Sequence, residues 1–248
     1  VKKSDLLIKN GLQMSTQKTY LAGQKSFIKF CDRFSLEYCP ASQTSILAYI
    51  ADCDGRNLRH GTIVNYLYAI RSMHLENGHG DILKDNFSVK RALKAIHTKQ
   101  DNTCNQKLAI DHKIMKSLET LHRSKIHDTI VMWSAMTLAF FGLFRCNEIT
   151  IPDNSTFCPN KNMTTNDISF HKGVNGTFMK VMLKQSKTDT IGTGVQVIIG
   201  CTETNVCAVC AMKNNLSLFI GNKKDTPLFV LNNGSILSRK VFVSPTRT

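Results

Sequence analysis

The chain has 248 residues, of which 32 are Lys or Arg and 18 are Asp or Glu, so its formal net charge is +14. Its hydrophobic fraction of 42% and charged fraction of 20% are ordinary for a folded protein, which excludes a disordered or collagen-like chain. The basic excess is spread over both halves of the chain and is not gathered in a tail. This pattern favours a folded body with a polyanionic partner, which is nucleic acid or an acidic membrane surface.

The first hundred residues predict helices without strands. Apolar residues recur there at helical spacing in four segments, which are separated by polar, Pro-containing or Gly-containing stretches. The predicted helices are Ser15–Arg33, Ser42–Cys53, Arg59–Leu75 and Val89–His97. We expect them to form a small bundle over residues 1–98, followed by a polar linker over residues 99–108.

Residues 109–248 predict helices first and short strands after Pro152. The predicted helices are Asp111–Arg123, Ile126–Phe144, Cys207–Leu218 and one that begins near Ser238. Segments rich in β-branched and apolar residues predict three strands, Asp167–His171, Thr177–Leu183 and Val195–Gly200. A polar, Gly-containing connection joins the last two, as is typical of an antiparallel hairpin. The whole chain is therefore predicted to be α+β and mainly α.

The most hydrophobic segment is Ile130–Phe144, which has no charged residue and stops at Arg145. A membrane span needs about 20 apolar residues, so this shorter segment is interpreted as a helix buried in a core. The first residues lack the apolar run of a signal peptide. Nine cysteines at irregular spacing then indicate a reduced, intracellular compartment, with the thiols as small buried side chains.

The sequence contains none of the short motifs of zincins, P-loop proteins, dinucleotide-binding folds or α/β-hydrolases. Cys207 and Cys210 have the CxxC spacing of a zinc-ligand pair, and Cys201 precedes them. A structural zinc site needs four ligands, usually as two such pairs, and no second pair lies nearby. We therefore expect no metal and no cofactor, and interpret these cysteines as thiols at the start of an ordinary helix.

Arg145 directly follows the predicted core helix, with Glu148 three residues later. A guanidinium stays charged and can hold a phosphate through two N–H groups. Placed at the rim of a rigid core, it could hold a phosphodiester still. The alternative is an arginine that caps the helix or pairs with Glu148, and the residues alone leave both interpretations open.

Five further basic side chains are candidates for contact with DNA. Lys184 and Lys187 lie in the connection of the predicted hairpin, where an ammonium could reach a groove or donate a proton to a leaving oxygen. The alternative there is a solvated turn. Arg59, Lys90 and Arg91 are candidate phosphate contacts on the helical bundle, with solvated surface charge as an equal alternative.

Taken together and in order, these segments resemble the tyrosine recombinases of the phage-integrase type. The closest likeness is to the eukaryotic branch carried by Crypton-type and DIRS-type mobile elements. STQKTYLAGQKSFIKFC and HGTIVNYLYAIRSMHLENG resemble its core-binding helices, and LAFFGLFRCNEIT resembles the segment of its first catalytic arginine. LKQSKTDTIGTGVQVIIG is similar to its catalytic-lysine hairpin, and VCAVCAMKNNL and TPLFVLNNGSILSRKVFV are similar to the helix and the extended segment that come after that hairpin.

The resemblance implies a four-helix, SAM-like core-binding domain over residues 1–98 and a partial catalytic domain with a small antiparallel sheet over 109–248. It implies cleavage and rejoining of DNA through a covalent 3′-phosphotyrosyl intermediate, without metal or nucleotide. Arg145 is then the first clamp arginine, and Glu148 orients it. Lys187 is the general acid, with Lys184 as second choice. The implied partner is double-stranded DNA, on which copies of the chain can assemble, in the nucleus if the source is eukaryotic; no membrane or small-molecule substrate is implied.

The chain departs from that family after the hairpin. All five tyrosines lie within residues 20–68, and His171, the only histidine after Arg145, has no arginine three residues later. The His-x-x-Arg box and the nucleophilic tyrosine are missing. We therefore expect a C-terminally truncated recombinase that binds DNA without cleaving it, so whether the chain acts as an enzyme stays open. The alternatives are a non-catalytic DNA-binding or architectural relic, and an interaction scaffold with incidental charge.

Overall fold

The computed structural model describes residues 11–100, 109–122, 124–153, 155–174, 176–186, 189, 192–219 and 225–244. The fold of these residues is α+β, with one three-stranded antiparallel sheet. The chain divides into two units, residues 1–106 and 107–248. Most of the predicted linker, residues 101–108, lies outside the described residues.

Four helices form the first unit. Their bounds are α1 Met14–Phe34, α2 Gln43–Gly55, α3 His60–Glu76 and α4 Phe87–Lys99. All four predicted helices are confirmed, with ends shifted by one or two residues. Two of the starts are fixed by side-chain caps, because Ser42 accepts the N–H of Ser45 and Asn86 accepts the N–H of Val89.

The core of the first unit forms where α1 packs on α3 and α2 packs on α4. The rings of Phe27 and Tyr49 meet edge to face with centroids 5.0 Å apart, and the Tyr49 hydroxyl donates to Ser26 at 2.9 Å. His74 is buried as well, and both of its ring nitrogens are used. Nδ1 donates to the carbonyl of Ile70, and Nε2 accepts the N–H of Ala41, each at 2.8 Å. The buried polar atoms of Tyr49 and His74 therefore all have partners.

The second unit begins with helices and continues into the sheet. The helices are α5 His112–Leu121, α6 His127–Gly142, α7 Cys146–Ile149, α8 Ala208–Leu216 and α9 Arg239–Val243. The strands are β1 Ile168–Gly173, β2 Gly176–Leu183 and β3 Val195–Gly200, preceded by a 3-10 turn at Thr165–Asp167. The strand order is β1-β2-β3, and the predicted hairpin is confirmed by the pairing of Leu183 with Val195. The short helix α7 was not predicted from the sequence.

The core of the second unit is centred on α6, which packs against α8 and touches β3. Val131, Ala135 and Leu138 of α6 are buried in the same apolar cluster as Val209 and Met212 of α8. The prediction that the most hydrophobic segment is a core helix is therefore confirmed. A search of the described residues finds no helix with the length and apolar character that a membrane crossing requires.

Two leucines at the C-terminal end of α6 allow a direct test of this core. Leu138 is 0% exposed and Leu143 is 88% exposed. We expect Leu138→Ala to lower the free energy of unfolding of the second unit by about 2–5 kcal/mol, because it leaves a cavity. Leu143→Ala deletes the same side-chain atoms at an exposed position. It should therefore change the free energy of unfolding by less than about 0.5 kcal/mol. Urea unfolding of both variants measures the difference, and equal effects would contradict the assignment of α6 as the core.

Candidate functional site

A tight turn after α6 determines where Arg145 lies. The helix ends at Gly142, and Leu143 adopts the left-handed backbone conformation with φ 54°. Phe144 then folds back onto the helix and is buried. Its ring occupies the space that a Cβ at position 142 would need, so glycine is required there. Arg145 follows as the N-cap residue, directly before α7, and the buried Phe144 anchors it from one side.

Glu148 holds both the main chain and the side chain of Arg145. Its Oε2 accepts the Arg145 backbone N–H at 2.8 Å, and its Oε1 accepts from Nη1 at 2.9 Å. The Glu148 side chain is 9% exposed, whereas that of Arg145 is 61% exposed. No hydrogen bond within the described part of the chain uses Nη2 of Arg145. The guanidinium is thus oriented along one edge and open to solvent along the other, where it can bind an anion.

Lys184, at the end of β2, has a different environment. Its Nζ lies 2.7 Å from Asp167 Oδ2 and donates to the carbonyl of Pro159 at 2.7 Å and to Thr164 Oγ1 at 3.3 Å. The same Asp167 oxygen accepts from the N–H and the hydroxyl of Thr164. The Lys184 side chain is 22% exposed and that of Asp167 is 8% exposed. This ammonium ties β2 to the 159–167 segment, which favours a structural role over that of a proton donor.

Lys187, the first choice for the general acid, lies outside the described residues. Asp189 organises the described residues next to it. Its Oδ1 accepts the N–H of Gly192 at 2.8 Å and its Oδ2 accepts the N–H of Gly194 at 2.7 Å. Both glycines have positive φ, 77° and 71°, which side chains rarely allow. The Asp189 carboxylate therefore holds the backbone of the β2–β3 connection where it approaches β3.

A narrow crevice brings the surroundings of Arg145 and Lys184 together. Glu148 lines it together with Asn162, whose main-chain oxygen lies 3.4 Å from Nζ of Lys184. Leu228 and Phe229 also line the crevice. Among the described contacts, Arg145 and Lys184 share no hydrogen bond or ion pair. Neither Arg145 nor Lys184 lines this crevice, and Glu148 reaches it from the arginine side.

The three other predicted residues lie in the first unit. Arg59 is exposed and precedes α3, and Lys90 and Arg91 are exposed near the start of α4. Lys94 is exposed one turn after Lys90, and its spacing of four residues from Lys90 could have identified it from the sequence. We call Lys90, Arg91 and Lys94 the α4 basic face. No acidic residue occurs in α4, and no ion pair among the described residues involves these side chains.

A second set of exposed lysines lies on α1. Lys18, Lys25 and Lys29 are spaced by seven and four residues, which places them on one side of the helix. No ion pair in the described ranges involves them either. We call these three residues the α1 lysine stripe. The predicted helix Ser15–Arg33 already contains all three lysines at this spacing, so the stripe could have been identified from the sequence.

His171, the only histidine after Arg145, and the buried Tyr49 occupy structural positions. His171 lies on β1, where its ring stacks on Phe178 with centroids 5.3 Å apart and Nε2 lies 2.9 Å from Ser169 Oγ. All five tyrosines lie in the first unit, and burial raises the pKa of Tyr49 well above its usual range. No tyrosine therefore belongs to the unit that carries Arg145.

Three thiols meet at the junction of β3 and α8. The Sγ of Cys201 lies 3.4 Å from that of Cys207 and 3.8 Å from that of Cys210, and all three lie within 4.8 Å of one another. Burial raises the pKa of the Cys207 thiol, but hydrogen bonds from Cys210 and Thr202 outweigh burial and lower that pKa to about 6. Burial and the hydrogen bond with Cys207 raise the pKa of Cys210 to about 12. The cluster therefore favours one thiolate, centred on Cys207.

Comparisons with known proteins give no family for this chain. A scan against protein-family models finds no match, and a search of curated proteins finds none either.

The structural role of Lys184 can be tested by removing its charge. We expect Lys184→Met to lower the free energy of unfolding by roughly 1–3 kcal/mol, because Asp167 is left nearly buried without its cation. Lys180→Met is the matched control on the same strand, since no described ion pair involves Lys180, and it should change stability by less than about 0.5 kcal/mol. Chemical unfolding of both variants gives the comparison.

A double variant separates the ion pair from loss of packing. If the pair matters, Lys184→Met combined with Asp167→Asn should cost less than the sum of the two single changes. Strict additivity would contradict a direct interaction between the two side chains.

Proposed function

We propose that this protein binds double-stranded DNA and that its second unit carries part of a tyrosine-recombinase active site. The observation that carries the proposal is the set of exposed basic side chains that no described acidic group neutralises. They include the α1 lysine stripe and the α4 basic face, and Arg145 adds the edge of its guanidinium that Glu148 leaves exposed. A nuclear location and assembly of copies on DNA belong to the same proposal.

The distribution of acidic residues in the first unit supports this proposal. Asp52 lies beside both Arg33 and Arg56, Asp81 pairs with Arg71 at 2.6 Å, and Asp54 pairs with Lys99 at 3.0 Å. These carboxylates neutralise arginines and a lysine outside the stripe and the basic face. The two basic surfaces keep their full charge, as a phosphate-binding surface requires.

The position of the α4 basic face also supports binding over stabilisation. Lys90 and Arg91 lie near the N-terminal end of their helix, which carries a partial positive charge. Cations there gain nothing from the helix dipole, and in α4 they have no acidic neighbour with which to pair. Their charge is therefore better explained by an external anion than by the stability of the helix.

In the second unit, Arg145 would hold a phosphate oxygen. Its guanidinium is fixed at one edge by Glu148, so little freedom is lost when the other edge binds an anion. In the recombinase mechanism such a clamp stabilises the charge that develops on the phosphate, and Lys187 would protonate the departing 5′ oxygen. The attacking tyrosine has no counterpart after Tyr68 in this sequence. We infer that the chain binds DNA and does not cleave it.

The second candidate is a DNA-binding protein that has kept this fold without catalysis. The anchoring of Lys184 in a nearly buried ion pair favours it, since the second choice for the proton donor is engaged in holding the fold. Both candidates predict DNA binding, and they differ in whether this unit ever contributes to strand cleavage.

The DNA-binding proposal predicts a steep dependence of affinity on salt. Each phosphate contact releases counterions, so the slope of log K against log salt should fall by about one for every contact removed. We expect Lys90→Ala, Arg91→Ala and Lys94→Ala together to reduce the slope and weaken binding of a mixed-sequence duplex. Fluorescence anisotropy over a range of salt concentrations measures both quantities.

The matched control removes the same charge from residues that already have acidic partners. Arg33→Ala, Arg71→Ala and Lys99→Ala together should leave the slope nearly unchanged. If the two triple variants lose affinity equally, net charge and not the α4 basic face determines binding. Salt-independent or absent binding by the unaltered chain would contradict the proposal and favour a protein-interaction scaffold.

The absence of cleavage is tested with labelled mixed-sequence duplexes. We expect no protein–DNA adduct that survives denaturing electrophoresis, because the second unit has no tyrosine. An adduct that peptide mapping locates on any of the five tyrosines would show that the chain is a competent nuclease, contrary to our inference.

A further inference from the structure

The three-thiol cluster has the dimensions of a metal site. Zn–S bonds of about 2.3 Å in tetrahedral geometry place neighbouring sulfurs about 3.8 Å apart. The observed Sγ separations from Cys201 are 3.4 Å to Cys207 and 3.8 Å to Cys210. A disulfide needs sulfurs about 2 Å apart and would leave the third thiol unused. The spacing of the cluster therefore fits a shared cation better than a pair of bonded cysteines.

The main chain around Cys207 is arranged to receive negative charge. Cys207 is the N-cap residue of α8, and its Sγ accepts the backbone N–H of Cys210 at 3.4 Å. The N-terminal end of a helix stabilises anions through its free N–H groups and its dipole. A thiolate at this position is thus favoured by its surroundings, as a metal ligand requires.

A nitrogen donor borders the same place. Cys207, Cys210 and His122 line one cavity, together with Glu119 and Trp133. The Nδ1 of His122 lies 2.8 Å from the carbonyl oxygen of Leu118. A carbonyl can only accept, so Nδ1 carries a proton, and in a neutral imidazole Nε2 then presents a lone pair. Metal-binding histidines are held in this way by a backbone carbonyl, which leaves the other nitrogen free for the ion.

We propose that Cys201, Cys207 and Cys210 bind one Zn²⁺ ion through their sulfurs; His122 borders the cavity that Cys207 and Cys210 line but does not belong to the cluster. Zinc fits because it is a borderline-soft cation that accepts thiolate and imidazole ligands in tetrahedral geometry. Binding displaces the protons of those ligands that are still protonated, and no electron is transferred. This proposal does not depend on DNA binding, so either can fail without the other.

The site would fasten the sheet to the core helices. Cys201 directly follows β3, and Cys207 and Cys210 belong to the first turn of α8, which packs on α6. A metal bridge there closes the short 202–206 segment and fixes the direction in which α8 leaves the sheet. The expectation of no metal followed from the absence of a second CxxC pair, and the fold supplies Cys201 instead.

The test measures zinc bound by the full chain purified with a reductant. After incubation with Zn²⁺ and dialysis, elemental analysis should give one ion per chain. With Co²⁺ as a probe, a sulfur-to-metal charge-transfer band and intense visible absorption should report a tetrahedral thiolate site. Cys201→Ser and Cys210→Ser should each weaken Zn²⁺ binding by more than about tenfold and remove the rise in thermal stability that Zn²⁺ gives the unaltered chain.

Cys158→Ser is the matched control, because Cys158 is a half-buried free thiol of the same unit outside the cluster. It should bind Zn²⁺ as the unaltered chain does. Circular dichroism before metal addition shows whether the serine variants remain folded, so loss of binding by a folded variant supports the site. The proposal is wrong if the unaltered chain binds no more Zn²⁺ than Cys210→Ser does, or if Cys158→Ser loses Zn²⁺ binding to the same extent. A disulfide within the cluster, found in protein kept reduced, would also overturn it.

Discussion

The burial of α6 is the constraint on which the second unit depends. Its apolar residues leave no charged group along the helix after Asp128, so both α8 and the sheet can pack on it. The helix must therefore stop abruptly where solvent begins. Gly142 and Leu143 provide that stop, and Arg145 is the first charged residue after it. The position of the candidate anion-binding group is thus a consequence of how the core ends.

Basic residues in this protein fall into two physical classes. One class is engaged with carboxylates inside the fold, as Lys184 is with Asp167 and Arg71 is with Asp81. The other class is exposed and has no acidic neighbour, as on α4. Net charge alone does not distinguish these classes, and only the second contributes to an external electrostatic field that a polyanion can use. Glu148 gives Arg145 features of both, because it engages one edge of the guanidinium and leaves the other exposed.

The helices and strands could be predicted from the sequence because their signals are local. Apolar spacing, caps such as Ser42 and Asn86, and β-branched runs around 168–200 determine them within a few residues. The short helix α7 was not predicted because its four residues are too few to show a helical period, although its contact between Glu148 and the Arg145 main chain is local. Lys184 differs, because its partners Pro159 and Asp167 are distant in sequence. Cys201 likewise joins Cys207 and Cys210 only because β3 ends beside α8.

Glu148 makes the start of α7 and the state of Arg145 thermodynamically dependent on each other. One carboxylate oxygen caps the helix, and the other competes with any incoming anion for the same guanidinium. An anion that displaces Oε1 leaves Oε2 as the only link between Glu148 and the helix start. Linkage is reciprocal, so a change that loosens this helix must alter anion affinity, and anion binding must alter the order of the helix by the same free energy. An anion bound at Arg145 would in this way be coupled to the order of α7.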